Sequence, residues 1–223
     1  MGFLPDLAVN TPLWLMLVTI GVNALVGSLR AFDDEKHSWD IVGVSVFAVL
    51  MGLGGGFVRD ILIGNTPVES LRTPWPLLTV LIMIVTALLF GRFVSKLTAV
   101  VSFLNAVALG LFALTGSAYA LREGLPVLAA IFVGVVSSVG GGVLVSVVKD
   151  EVPGILVSSA PNALIALLVS IVYVSVDVLD SAFASLAAIL TAVVVSVVSN
   201  ALGVRTRKAT NVSALLPTRS KDI

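Results

Sequence analysis

The sequence predicts an all-α integral membrane protein, with seven transmembrane helices arranged as two inverted three-helix repeats followed by a seventh helix. Three observations predict it. The chain is 58% hydrophobic and only 12% charged, with a mean hydropathy of +1.12, against about 45–50% apolar and about 25% charged in a soluble domain. Seven apolar segments approach the roughly 20 residues that a spanning helix needs. A glycine triplet recurs in the second half of the chain at the same distance from a proline.

The segments, in order, are Leu13–Leu29, Ile41–Ile63, Trp75–Phe93, Leu97–Ala120, Val127–Val148, Leu156–Val176 and Ala182–Val204. The N-terminal "MGFLPDLAVN" has no basic region ahead of the first segment, so that segment is expected to stay in the mature protein. Trp14, Trp39 and Trp75 each open a segment, where an aromatic belt would place them. One transmembrane domain over residues 1–204 is expected, with repeat one at about 12–95, repeat two at about 97–178 and the seventh helix at about 182–204. Residues 205–223 form a polar tail.

Orientation follows from the basic residues. With seven spans, Arg59, Arg72 and Arg122 share the side of the N-terminus, and the other ten lysines and arginines, five of them in the tail, lie opposite. The positive-inside rule then places the N-terminus outside and the tail in the cytoplasm of a prokaryotic cell membrane. A net charge of zero argues against a nucleic-acid partner, and the absence of cysteine removes disulfides, thiol chemistry and cysteine metal sites. The single histidine, His37, lies in the polar run "DDEKHSWD" and is expected to be a solvated loop residue. No nucleophile–base set and no metal cluster is visible, so an enzyme and a bound cofactor are not expected.

The duplication can be laid out residue by residue. "GGGFVRDILIGNTP" (Gly54–Pro67) aligns without a gap on "GGGVLVSVVKDEVP" (Gly140–Pro153), and "VGSLRAF" in the first span faces "TGSAYAL" in the fourth, matching Gly27-Ser28 to Gly116-Ser117. A duplicated unit of three helices must lie in opposite orientations in its two copies. Such inverted repeats place functional sites near the membrane midplane.

Three consecutive glycines weaken a helix by about 3 kcal/mol relative to alanine. Gly54, Gly55, Gly56 and Gly140, Gly141, Gly142 are therefore expected to break the second and fifth spans and expose carbonyls to a pathway. The alternative is that the glycines let two helices cross closely. Asn23, Ser28, Ser117, Ser137 and Ser138 are candidate polar lining, with Asn23, Gly27 and Arg30 on one face of the first span. Asn105, Phe112, Gly116 and Tyr119 share a face of the fourth. Arg59, Asp60, Lys149, Asp150 and Glu151 are the charged candidates for gating or passage, since an ionisable residue at membrane depth is functional by default. For Lys149 the alternative is an interfacial anchor.

The paired glycine triplets, the Arg-Asp after the first, the "KDEVP" after the second and the three-plus-three-plus-one arrangement resemble the TRIC family, the trimeric intracellular cation channels, in their prokaryotic form. The resemblance implies a homotrimer with a pore in each protomer for monovalent cations, chiefly K+ and secondarily Na+. It places the pore among spans one, two, four and five. Val145 and Ser146 stand where a second Arg-Asp pair would be in many relatives, and "KDEV" resembles a phosphoinositide-binding Lys-Glu-Val sequence, implying contact with membrane lipid. The other function that the pattern allows is secondary transport of a small zwitterion such as glycine, with Arg59 holding its carboxylate.

Overall fold

The computed structural model describes residues 13–34, 36–94, 98–154 and 162–202. Its helices are α1 (Leu13–Phe32), α2 (Ile41–Leu62), α3 (Glu69–Arg72), α4 (Trp75–Val94), α5 (Thr98–Arg122), α6 (Val127–Val148), α7 (Asn162–Asp177) and α8 (Ser181–Ala201). Among the described residues, five stretches are long and apolar enough to cross a membrane: all of α1, α2 and α6, Phe103–Arg122 of α5, and Ser181–Ser199 of α8. Trp75–Gly91 of α4 and α7 are apolar but shorter. The four-residue α3 has no counterpart among the expected segments. The opening of the sixth expected segment, the first twelve residues and the tail at 205–223 lie outside the described residues.

Helix ends follow local chemistry. Asp40 caps α2 by accepting from the Gly43 amide at 2.8 Å, and Asp180 caps α8 by accepting from Ala182 and Phe183 at 2.7 and 3.0 Å. At the other end of α2, Asn65 N–H bonds the Asp60 carbonyl and Gly64 N–H bonds Ile61, the paired pattern of a Schellman cap. The end of α6 repeats it: Glu151 bonds Ser146 and Asp150 bonds Val147. Gly64 takes the left-handed position with φ 73°, and Asp150 takes the same position with φ 52°.

Packing divides around two central helices. α1 packs against α2 and α4, α5 packs against α6, α7 and α8, and α2 against α6 ties the two groups together. α1 and α5 run antiparallel: Asn23 Nδ2 reaches the Ala108 carbonyl at 3.5 Å, and seven residues further on Arg30 donates to Asn105 Oδ1 at 3.1 Å. Small residues make the close contacts, as is usual where lipid removes the hydrophobic drive between helices. Ala184, Ala188 and Ala192 are fully buried along one stripe of α8, and a side chain at Gly110 would collide with Ala192. The opposite face of α8 and most of α4 present large apolar side chains outward, Leu81, Leu89, Leu186 and Leu190 among them. That distribution suits hydrocarbon on the outside.

Two expectations change here. α2 and α6 run as unbroken helices through their glycine triplets. Trp14 and Trp75 are exposed, but Trp39 is turned inward and half-buried; its indole donates to Asp34 Oδ2 at 2.6 Å and its ring meets Phe47 edge-on at 4.8 Å.

Candidate functional site

The glycine triplets meet each other. A side chain at Gly55 would collide with the Ser137 carbonyl, and one at Gly54 would lie 2.8 Å from Leu144 and 3.4 Å from the Cα of Gly141. From the other side, a side chain at Gly141 would lie 2.9 Å from both the Leu50 and Met51 carbonyls, and one at Gly140 would touch the Cα of Gly55 at 3.5 Å. Ser137 adds a hydrogen bond from its hydroxyl to the Gly55 carbonyl at 3.3 Å. Four of the six glycines therefore serve a backbone-to-backbone crossing of α2 and α6. The third glycine of each triplet does something else: Gly56 and Gly142 each line a cavity.

The first cavity is small, about 10 Å³, and is bounded by Thr19, Gly56, Arg59, Ser70, Thr115 and Tyr119 with apolar neighbours. That is close to the room one water needs. Arg59 and Asp60 dominate its edge. Both are buried, 3% and 0% exposed, and Arg59 grips a single oxygen, with Nε and one terminal nitrogen each 2.7 Å from Asp60 Oδ1. The second carboxylate oxygen accepts from the Glu69 amide at 2.7 Å. The guanidinium lies 3.9 Å over the centre of the Tyr119 ring, a cation–π contact. Burial is tolerable because each charge is partnered.

The second cavity is larger, about 80 Å³, and its polar lining is Asn23, Arg30, Asn105, Ser138, Ser146 and Asn162. Ser146 is occupied with its own helix, donating to Gly142 at 3.0 Å. Ser138 is 7% exposed and its hydroxyl has no partner among the described residues. The two cavities follow one another along the antiparallel pair: Thr19 and Thr115 bound the first, Arg30 and Asn105 the second. The Asn23–Ala108 contact falls between.

Of the remaining sequence candidates, Ser28 is fully buried and bonds the Ala24 carbonyl of its own helix at 3.1 Å. Ser117 is buried without a partner among the described residues beside Gly134. Neither lines these two cavities. Lys149, Asp150 and Glu151 close α6: Lys149 is the C-cap and Asp150 takes the left-handed position after it, and Lys149, 15% exposed, lies 3.2 Å from Glu151 and 3.8 Å from Asp34. His37 is not simply solvated; its Nδ1 is 3.3 Å from the same Asp34 oxygen. The Trp39 indole above all, helped by the Lys36 amide, His37 and Lys149, pulls the Asp34 carboxyl down to about 2, against an opposing push from burial.

Thr19, Ser70 and Thr115 were not singled out by sequence, and Ser70 lies on α3, whose four residues carry no periodic signal. Arg30 and Asn105 were visible only as members of helix faces. No group of three or more His, Cys, Asp or Glu suited to a metal occurs among the described residues.

Comparison with known proteins is consistent with this geometry. The family described as "Glycine transporter" matches residues 13–92 and 102–177. A UPF0126 membrane protein of Deinococcus radiodurans is 33% identical over 143 residues, a match that spans 64% of this chain and 65% of the relative. A structure described as the structural basis for conductance through TRIC cation channels superposes with a TM-score of 0.79 at 26% identity, covering 88% of this chain and 96% of the other. The TRIC trimeric intracellular cation channel orthologue from Rhodobacter sphaeroides superposes with a TM-score of 0.77 at 28% identity, covering 86% and 97%.

Proposed function

The chain belongs to the glycine transporter family and shares the fold of the TRIC cation channels, and from that premise we propose that it is a membrane channel for monovalent cations, chiefly K+. The observation that carries the proposal is the pair of cavities in line along α1 and α5, the first bounded by Gly56 of α2 and the second by Gly142 of α6, the third glycines of the two triplets. Hydroxyls of Thr19, Thr115 and Ser138 would replace part of a cation's hydration shell. The Gly55–Ser137 crossing is the constriction, and small movements of α2 against α6 at glycine open it. Because α2 and α6 are continuous helices, gating is a sliding or bending of packed helices rather than the motion of a broken segment.

The architecture is two inverted three-helix units, α1, α2 and α4 (with the short α3 between the last two) and α5–α7, with α8 appended. Three features support it: antiparallel α1 and α5, the same cap at the ends of α2 and α6, and family matches in two stretches of similar length. The protein acts as a homotrimer with a pore in each protomer, the N-terminus outside and the tail in the cytoplasm. Arg59 obstructs cations less than its charge suggests, since Asp60 neutralises it. Planar-bilayer recording of the purified protein under a KCl gradient tests the proposal. Unitary currents reversing near the K+ equilibrium potential support it, and a silent bilayer refutes it.

Secondary transport of a small zwitterion is the second reading. Arg59 does not favour it, being already occupied by Asp60. Arg30 does, because it lines the larger cavity with Asn105 as its hydrogen-bond partner and has no ion pair among the described residues. Gradient-driven uptake of labelled glycine into proteoliposomes from a preparation that is silent in bilayers would put this reading first.

A further inference from the structure

We propose that the Arg30 cavity is a binding site for a small carboxylate. The chemistry of the lining is one-sided. Arg30 supplies a positive charge, and Asn105, Ser138 and Ser146 are neutral polar groups, with no acidic residue among the described residues that bound the space. Arg30 donates to Asn105 Oδ1 at 3.1 Å and makes no other bond among the described residues. A guanidinium carries five N–H donors in a planar fork, so most of its capacity is uncommitted. Glu151 lies within electrostatic reach, yet among the described residues its ion pair is with Lys149, at 3.2 Å.

Ser138 is the independent second observation. Its hydroxyl is buried, bounds the same space and has no partner among the described residues. A buried hydroxyl left unsatisfied is costly, and an oxygen-bearing ligand between it and Arg30 would satisfy both. Asn105 uses its carbonyl oxygen on Arg30, which leaves its amide hydrogens to donate. Arginine, hydroxyl and amide donors around one space specify an acceptor-only, singly negative, planar group, and a carboxylate matches the guanidinium fork.

Size limits the ligand. The cavity, at about 80 Å³, is several times the roughly 10–15 Å³ that a water requires. A molecule of a few heavy atoms fits, and a nucleotide or lipid headgroup does not. A bound carboxylate also bears on conduction, since it neutralises Arg30, which has no ion pair among the described residues. The binding itself does not depend on the channel reading.

The test is thermal unfolding of the purified full-length chain in detergent, titrated with sodium acetate, glycine or sodium chloride at constant ionic strength. Acetate should raise the midpoint saturably while chloride does not. Arg30→Gln should weaken the apparent affinity about 10- to 100-fold, the range for a hydrogen bond to a charged group, and Ser138→Ala should weaken it several-fold. Arg30→Lys keeps the charge without the fork and guards against an Arg30→Gln protein that fails to fold; it too should bind more weakly. A response to glycine but not acetate supports the site and adds a requirement for the ammonium group. An equal response to chloride, silence with all three solutes, or an unchanged response in both Arg30 variants would overturn the proposal. Bilayer currents measured in KCl alone report on the channel separately, so the two can fail independently.

Discussion

Gly55 and Ser137 hold each other across the centre of the molecule: the Ser137 hydroxyl donates to the Gly55 carbonyl at 3.3 Å, and the Ser137 carbonyl fills the space that a side chain at Gly55 would need. Gly55→Ala should therefore force α2 and α6 apart. Overpacking of this kind costs about 1–3 kcal/mol, and the obstacle here is rigid backbone. Gly56→Ala, one residue on, meets only the Ser70 hydroxyl at 3.6 Å and should gain up to about 1 kcal/mol of helix propensity. Thermal midpoints of the two variants in detergent should move in opposite directions. If both fall equally, helix packing at the crossing is not what the triplet provides.

Removing Arg59 should be far worse than removing the pair. Arg59→Met strands the Asp60 carboxylate, 0% exposed, with only the Glu69 amide for company. Breaking a buried pair from one side costs about 3–5 kcal/mol, whereas replacing both members by apolar residues is often near neutral. Arg59→Met should express poorly and melt early, and the double variant Arg59→Met, Asp60→Leu should recover most of the loss. A double variant no better than the single would mean that the Tyr119 contact, at 3.9 Å, carries the stabilisation.

How far the sequence reveals this arrangement depends on which interactions are local. The membrane dictates helix length, so the ends of α2, α4 and α6 fall within a residue of the apolar runs. The duplicated glycine motif is also local, and left-handed residues, Gly64 and Asp150, follow α2 and α6 at matching positions. What the glycines do is not local. Composition shows a weak helix, while the structure shows a continuous one, because the opposing backbone of α6 makes good what propensity loses. Periodicity put Asn23 and Arg30 on one face of α1, but only the packing of α5 and α6 around that face reveals that Asn105 and Ser138 bound the same space. Trp39 was misplaced for a related reason. Asp34 lies only five residues before it, and a lone carboxylate in an acidic run carries no signal that it will fold back to accept from an indole.

The cap of α6 offers a substitution that should stabilise the protein. Asp150 holds φ 52° at the position where α2 uses Gly64. A left-handed conformation costs an ordinary L-residue about 1–2 kcal/mol, less for Asp, and glycine nothing. Asp150→Gly should raise the melting midpoint by the equivalent of about 0.5–1 kcal/mol, and Gly64→Ala should lower it by a similar amount. A fall on Asp150→Gly would instead assign the carboxylate a partner or a role in the pathway.

Acid should loosen the junction between the α1–α2 loop and the end of α6. The Trp39 indole, the Lys36 amide and His37 hold the Asp34 carboxyl down from an ordinary 3.8 to about 2, so the folded protein favours the charged form. Its contribution is complete above the unfolded value and is lost as pH falls from 3.8 through 2. Asp33 next to it acts in the opposite sense, since burial pushes its carboxyl up against the pull of Lys149 and acidification there favours the fold. Asp34→Asn removes the larger effect. Melting midpoints measured between pH 5 and about 2 should fall steeply for the wild type and less steeply for Asp34→Asn. Parallel curves would show that the carboxylate, although it touches Trp39, His37 and Lys149, does not couple the loop to the helix.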